Sequence, residues 1–401
     1  MLSSKLRPKG SVCAGELHIV FLVRLRKSES GGMYMESTNF AEYFSRLPIK
    51  RRRLLQTALG SSAGAAYLAA CGSSSNSTTT QNSSSSGGGG GNYPSHPKWN
   101  FVFVNHVTTN PFFVPTIYGI QDACALVNCS YQWTGSENSH SSEMVNAMNT
   151  AISAKADGIA VAIVDPTAFN APVESALSAG IPVVAYNADA PASSGNKRMA
   201  YIGQDLYQSG VQLGQRIVSL VPSGDIAGFI ATPGQLNIQP RIDGAKAAIQ
   251  ASGKPINFTQ IATGAQLPDE LNHIEAYYLG HQNLKGMVAV DAGSTQGVSE
   301  IMEKYSLPAK GIHAGGFDLQ PKTLQEIQSG NLDFTIDQQP YLQGFFPLMQ
   351  LFLYKLSGGL MQPSDMDTGL LFVTKDNVAP YLNTQTRFEG SSSQQKVVTT
   401  T

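Results

Sequence analysis

Beyond Lys98 the chain alternates short continuous apolar runs with stretches in which apolar residues return every three or four positions, and this alternation restricts the fold more than any single motif does. Trp99 to Asn105 reads as a strand. Phe113, Ile117, Ile120, Cys124 and Val127 then recur at spacings of four and three, which aligns them on one face of a helix. Met144, Ala147, Met148, Ala151 and Ile152 repeat that pattern. Gly158 to Val164 follows without polar alternation, as a parallel strand covered on both faces requires. Ile181 to Tyr186 is the next strand, begun after Ala179-Gly180, where a helix would stop. Strand, helix and strand in succession predict an α/β fold with a parallel sheet and helices on both faces.

A second series starts near Asp225. Ile226 to Ala231, Ile256 to Thr263, Gly286 to Val290 and Ile312 to Phe317 read as strands. Between and after them stand helices at Ile238 to Ala251, Glu270 to Gly280, Thr295 to Tyr305 and Pro321 to Ser329. Two comparable series predict two similar lobes and not one long sheet. The apolar helix Tyr341 to Leu356 and the strand Gly369 to Val373 are expected to return the chain to the first lobe. The expected division is therefore 98–222 with 341–385 for the N-terminal lobe, 223–340 for the C-terminal lobe, and a disordered polar tail over 386–401.

Composition excludes several classes. With 27 basic and 28 acidic side chains the net charge is −1, so there is no cationic excess to neutralise nucleic-acid phosphates. Four cysteines are too few for a disulfide framework, and their spacing matches no zinc site. No uninterrupted apolar run reaches the roughly 18 residues of a membrane span. The N-terminal region instead has the order of an export leader: Lys50-Arg51-Arg52-Arg53, then the weakly apolar Leu54 to Ala70, then Cys71. Leu68-Ala69-Ala70-Cys71 resembles the lipobox of bacterial lipoproteins, whose cysteine is acylated, and the arginines with Leu54-Leu55 resemble a twin-arginine signal. Residues 1–71 are thus expected to be the leader, with Met33 or Met35 a more ordinary start than Met1. Residues 72–97, rich in Ser, Asn, Thr, Gln and Gly, are expected to be a flexible linker. A lipid, a tether and a globular body describe a protein held outside the cytoplasmic membrane.

In open parallel sheets ligands bind beyond the carboxyl ends of the strands. The polar residues there are His106 with Asn110, Asn187, Asp291 and Asp318. Any one of them alone is more often a helix cap than a ligand group. Together, converging between two lobes, amides and carboxylates beside aromatics suit a neutral polyhydroxy ligand.

Five motifs extend this reading: Asn110-Pro111-Phe112-Phe113, Ile181-Pro182-Val183-Val184 leading to Asn187, Arg241-Ile242-Asp243-Gly244, Gly316-Phe317-Asp318, and Ile336-Asp337-Gln338-Gln339-Pro340. In this order, from about Trp99 to Val373, the chain resembles the type I periplasmic sugar-binding proteins, the ribose-binding family. The resemblance implies two Rossmann-like lobes joined by three crossover segments, closing on one sugar and delivering it to an ABC transporter permease. It also implies that Asn110 hydrogen-bonds the sugar, Phe112 and Phe113 line and stack on it, Arg241 sets its guanidinium fork against adjacent hydroxyls, Asp318 accepts from hydroxyls, and Gln338 completes the cleft. Four positions depart from the ribose pattern: His106 for a small hydroxyl residue, Asn187 for an aspartate, Ala188 for an arginine and Asp291 for an asparagine. Two lost charged contacts, each worth about 1.5–3 kcal/mol in a desolvated site, point away from ribose and toward a related pentose, polyol or other small carbohydrate.

Simpler readings stand beside these. Adjacent Phe112 and Phe113 should split, one to the core and one to the cleft; His106 fits a satisfied loop histidine, and Trp133 fits packing. Cys124 and Cys129 form either a bridge or two buried thiols. Transport competes with presentation of the closed form to a chemoreceptor or sensor kinase. A sugar-responsive repressor would need a helix-turn-helix where the leader and linker stand. Catalysis lacks a Ser-His-Asp order, a metal cluster or a phosphate-cradling loop, so no enzyme activity, metal or cofactor is expected, and the chain is expected to be a monomer.

Overall fold

Both series of apolar runs form sheets in the computed structural model, which describes residues 25–27, 33–35 and 93–382. The expected leader with Cys71, most of the linker and the tail at 386–401 lie outside the described residues. Strands β1 (Leu25–Lys27) and β2 (Met33–Met35) pair antiparallel.

The first lobe is a six-stranded sheet built from β3 (Asn100–Asn105), β4 (Ser130–Gly135), β5 (Gly158–Val161), β6 (Val183–Tyr186), β7 (Tyr201–Gly203) and β13 (Met366–Asp367). Its order is β13-β7-β6-β5-β3-β4, parallel throughout. β5 and β6 are buried along their whole length, because helices cover both faces. Those helices are α1 (Val114–Val127), α2 (Ser141–Ser153), α3 (Asn170–Ser178) and α9 (Leu342–Leu356), α9 lying against α1. Phe101, Phe103, Ile159, Val161, Phe169 and Phe352 centre the core.

The second lobe repeats the plan. Its strands are β8 (Gly224–Ile230), β9 (Ile256–Ala262), β10 (Gly286–Ala289), β11 (His313–Phe317), β12 (Phe334–Asp337) and β14 (Leu371–Val373), in the order β14-β12-β11-β10-β8-β9. All pairs are parallel except β12 with β14. α4 (Leu206–Leu220), α5 (Gln239–Ala251), α6 (Leu267–Gly280), α7 (Ala292–Lys304), α8 (Pro321–Ser329) and the short α10 (Ala379–Leu382) complete it.

Two segments sit on the other lobe from the one expected. α4 falls within the range 98–222 assigned to the first lobe, yet its buried stripe of Leu206, Ser209, Gly210, Leu213, Gly214, Ile217 and Val218 packs on α5. The approach needs glycine: a Cβ on Gly210 would lie 2.1 Å from the Arg241 carbonyl oxygen, and one on Gly244 would lie 2.2 Å from that of Tyr207. The segment 341–385 also divides. β13 returns to β7, but Leu371–Val373 pairs with the edge strand β12, and Val373 and Val378 join the second core. Consequently the chain passes between lobes three times, at 204–205, 338–341 and 368–370. Of the two cysteine readings, the structure holds the buried thiols: Cys124 and Cys129 are unbridged, and burial pushes their pKa values up to about 12 and about 11.

Candidate functional site

The carboxyl ends of both sheets face one cleft, and the residues just beyond the strands line it. His106 follows β3, Asn187 follows β6, Asp291 stands just past β10, and Asp318 and Gln338 follow β11 and β12. Asn110, Phe112 and Phe113 come from the turn entering α1, and Arg241 from the first turn of α5. All nine line a single cavity, together with Val107, Asn237, Ile238 and Ala292. Asn187 and Asp318 hold positive φ, 63° and 76°. That conformation is strained for a residue with a Cβ but least so for Asn and Asp.

The hydrogen bonds revise several expected roles. Arg241, only 2 % exposed, lines the cavity, and its fork is also engaged by the protein. Its Nη1 donates to the Val290 carbonyl at 2.9 Å, its Nη2 donates to Gln204 Oε1 at 3.1 Å, and its guanidinium lies 4.0 Å over the Phe317 ring. Nε is left without a partner. Asp291 is a helix cap, as the simpler reading had it: Oδ1 accepts from Ser294 N and Oδ2 from Ala231 N, at 2.8 and 2.9 Å. Asn110 Oδ1 likewise accepts from Phe112 N, which leaves its amide N–H groups for the cleft. Phe112 and Phe113 do not split between core and cleft; both are buried, both line the cavity, and their rings meet edge to face at 4.7 Å. Trp133 is a packing residue beside Phe113, its indole N–H donating to the Thr108 carbonyl.

Burial dominates the electrostatics. Asp318 is pushed up to about 7, although the Arg241 charge and the Gln338 amide, donating at 2.7 Å, pull it down. Glu270, behind Asp291, is pushed up to about 10 by burial and by Asp291, so it is protonated and donates to Asp291. Burial lowers His106 to about 3, which keeps the imidazole neutral. The same burial lowers the Arg241 pKa, but a guanidinium starts so high that it stays charged.

Across the mouth the lobes touch. Ser139 Oγ donates to Gln235 Oε1 at 2.5 Å, Gln235 Nε2 donates to the Ser139 carbonyl at 2.9 Å, and Leu236 N donates to the Val164 carbonyl at 2.9 Å. Asn237 Nδ2 meets His106 Nε2 at 3.2 Å. Asn237 was not among the sequence candidates. Its position between the end of β8 and Arg241, the same strand-to-helix junction, is the signal that points to it.

Among the described residues, four buried side-chain polar atoms have no hydrogen-bond partner, and three of them are here: His106 Nδ1, Asn237 Oδ1 and Arg241 Nε. Each such atom costs about 1–3 kcal/mol if left unpaired. With Asn237 donating to His106 Nε2, the His106 proton sits on Nδ1. All three belong to residues that line the cavity, so the site carries two N–H donors and one carbonyl acceptor that its own side chains do not satisfy. Hydroxyl groups, which both donate and accept, answer all three without bringing charge. No group of metal-ligating side chains occurs among the described residues, and none of their helices is long and apolar enough to cross a membrane.

Residues 101–358 match the family described as periplasmic binding protein domain. The chain is 52% identical over 320 residues to the xylose/arabinose-binding protein XylF of Sulfolobus acidocaldarius, spanning 77% of this chain and 79% of that protein. The fold is similar to an ABC transporter solute-binding protein from Burkholderia graminis in complex with D-arabinose, with a TM-score of 0.65 and 26% identity over 71% of this chain and 97% of that one. A carbohydrate transporter protein from Acidothermus cellulolyticus in complex with myo-inositol matches with a TM-score of 0.63 and 26% identity over the same shares of the two chains.

Proposed function

The chain belongs to the periplasmic binding protein family, and from that premise we propose that it captures an aldopentose of the xylose or arabinose type between its lobes and delivers it to an ABC transporter permease. It is a binding protein and not an enzyme, as its relatives are. The observation that carries the reading is the set of three unpartnered polar atoms on residues from both cavity walls, whose pattern a cluster of neutral hydroxyls would complete. Phe112 and Phe113 supply an apolar surface for the C–H face of a ring. The 52% relative argues for a pentose, and the myo-inositol complex argues for a polyol as the next choice.

Closure of the lobes is the signal such a protein gives a permease. The body is proposed to act outside the cytoplasmic membrane, exported by way of the arginine cluster and anchored through an acylated Cys71. Mass spectrometry of protein from its native membrane tests the anchor: a diacylglyceryl-modified Cys71 at the mature N-terminus is expected, and an unmodified thiol there refutes it. Thermal unfolding with D-xylose, L- and D-arabinose, D-ribose, D-glucose and myo-inositol tests the ligand. A hundredfold excess over Kd stabilises by about 2.7 kcal/mol, so a cognate pentose stands out. Absence of any shift across the series overturns the proposal.

A further inference from the structure

Gln343 is absent from the cavity lining and wholly buried, yet its amide is bonded to the residues that do line it. Four side chains form a head-to-tail chain. Asn187 Nδ2 donates to Gln343 Oε1 at 3.0 Å, Gln343 Nε2 donates to Gln338 Oε1 at 3.1 Å, and Gln338 Nε2 donates to Asp318 Oδ1 at 2.7 Å. Every donor points the same way, so each bond polarises the next. The chain begins on the first lobe and ends on the second. It is also tied to two crossovers: the second N–H of Gln343 Nε2 is shared between the Gln338 carbonyl and Thr368 Oγ1, each at 3.1 Å, and Thr368 Oγ1 donates to that same carbonyl at 2.7 Å.

We infer that Gln343 is a positioning residue that sets the hydrogen-bond polarity of the cleft, and with it the preference for a ligand that offers hydroxyl hydrogens over one that brings a carboxylate. This rests on the proposed sugar-binding function and deepens it. With its N–H engaged by Gln343, Asn187 keeps Oδ1 for the cavity; with Oδ1 engaged by Gln338, Asp318 keeps Oδ2. Both are acceptors, one from each lobe. A reversed Gln343 amide would turn its own N–H toward Asn187 and make Asn187 present a donor instead. Polarity at the ligand is thus fixed by a side chain the ligand never touches, and because Gln338 and Thr368 stand on crossovers, movement between lobes strains the same chain.

The test reads side-chain amides first and sugar second. In nitrogen-15 spectra of the full chain, the amide resonances of Asn187 and Gln338, assigned from Asn187→Ala and Gln338→Ala, should both move in Gln343→Leu. In the near-isosteric Gln343→Glu, the acceptor for Asn187 is kept and the donor to Gln338 is lost, so Gln338 should move far more than Asn187. For binding, Gln343→Leu should weaken D-xylose by about tenfold. Asn187→Ala combined with Gln343→Leu should lose less than the two single losses summed, and wild-type protein should prefer D-xylose to D-xylonate by at least about tenfold. Unmoved amides in Gln343→Leu, losses that add, or equal binding of D-xylonate would each overturn the inference. Should wild-type protein bind no pentose, the proposed function falls while the amide spectra still decide this point. Should Gln343→Leu not fold, Gln343→Glu carries the spectral reading by itself.

Discussion

The first lobe presents His106, Asn110, Phe112, Phe113 and Asn187 to the cleft, whereas the second presents Arg241, Asp291 and Asp318, with Glu270 behind. One wall is aromatic and amide, and holds no side chain that changes charge near neutral pH. The other holds a buried guanidinium among buried carboxyls. A wall of the first kind sets shape at any pH. A wall of the second kind supplies charge-assisted hydrogen bonds, roughly twice as strong as neutral ones, at the cost of making binding depend on protonation.

The sharpest way to break this contrast is Arg241→Ala. It removes the second wall's only cation among the described cavity-lining residues, strips the donors from Val290 O and Gln204, and opens a void over Phe317. Pentose affinity measured by calorimetry should fall by about 3 kcal/mol, more than a hundredfold. Because the fork is bonded to the protein, the unliganded protein should lose thermal stability too.

Asp318→Asn sharpens it. The folded-state pKa, about 7, lies above the unfolded value of about 3.9, so the native state binds more protons between pH 4 and 7 and the unliganded protein loses stability as pH rises through that window. Binding runs the other way, because a carboxylate accepts better from ligand hydroxyls than a carboxylic acid does. Affinity should fall by up to about tenfold per pH unit below 7, and Asp318→Asn should flatten both profiles. Wild-type profiles with the same sign for binding and stability would contradict this assignment.

Glu270→Gln is a smaller perturbation. A protonated Glu270 is mimicked by the amide, so stability near pH 4 should change by less than about 1 kcal/mol, and the variant should become the more stable of the two as pH rises. As pH rises from 5 through about 10 the wild-type protein should lose stability, since the raised pKa means ionisation is resisted in the native state. The variant should lose much less. Melting scans at several pH values compare the two directly, and a parallel decline in both would show that Glu270 is not the group responsible.

The smallest effect is expected at the mouth, where the walls meet. Gln235→Ala removes a side chain bonded to both the hydroxyl and the carbonyl of Ser139. Net hydrogen-bond values of about 0.5–1.5 kcal/mol predict a sugar dissociation rate several-fold faster in stopped flow, with little change in melting temperature.

Much of this contrast was legible before any coordinates. Gly158 to Val164 announced a strand covered on both faces, and the rule that ligands gather past strand ends singled out His106, Asn187, Asp291 and Asp318. What stayed hidden depends on partners remote in sequence. α4 buries Ser209, Gly210 and Gly214, small residues that admit α5 but dilute an apolar pattern. Leu371–Val373 is too short to say which sheet it joins. The Arg241 fork is engaged because Gln204, 37 positions away, offers an acceptor, and Gln343 gains its role from Asn187, 156 positions away. Spacing within a motif carries no trace of either.

Both sheets take their final edge strand from one short stretch, β13 at Met366–Asp367 and β14 at Leu371–Val373. During synthesis, then, neither half can be finished until almost the entire body has left the ribosome, however early its other strands emerge. Cutting the gene at the lobe boundary would yield no independent half, and a nascent chain stopped short of Met366 leaves two incomplete edges exposed to whatever escorts it.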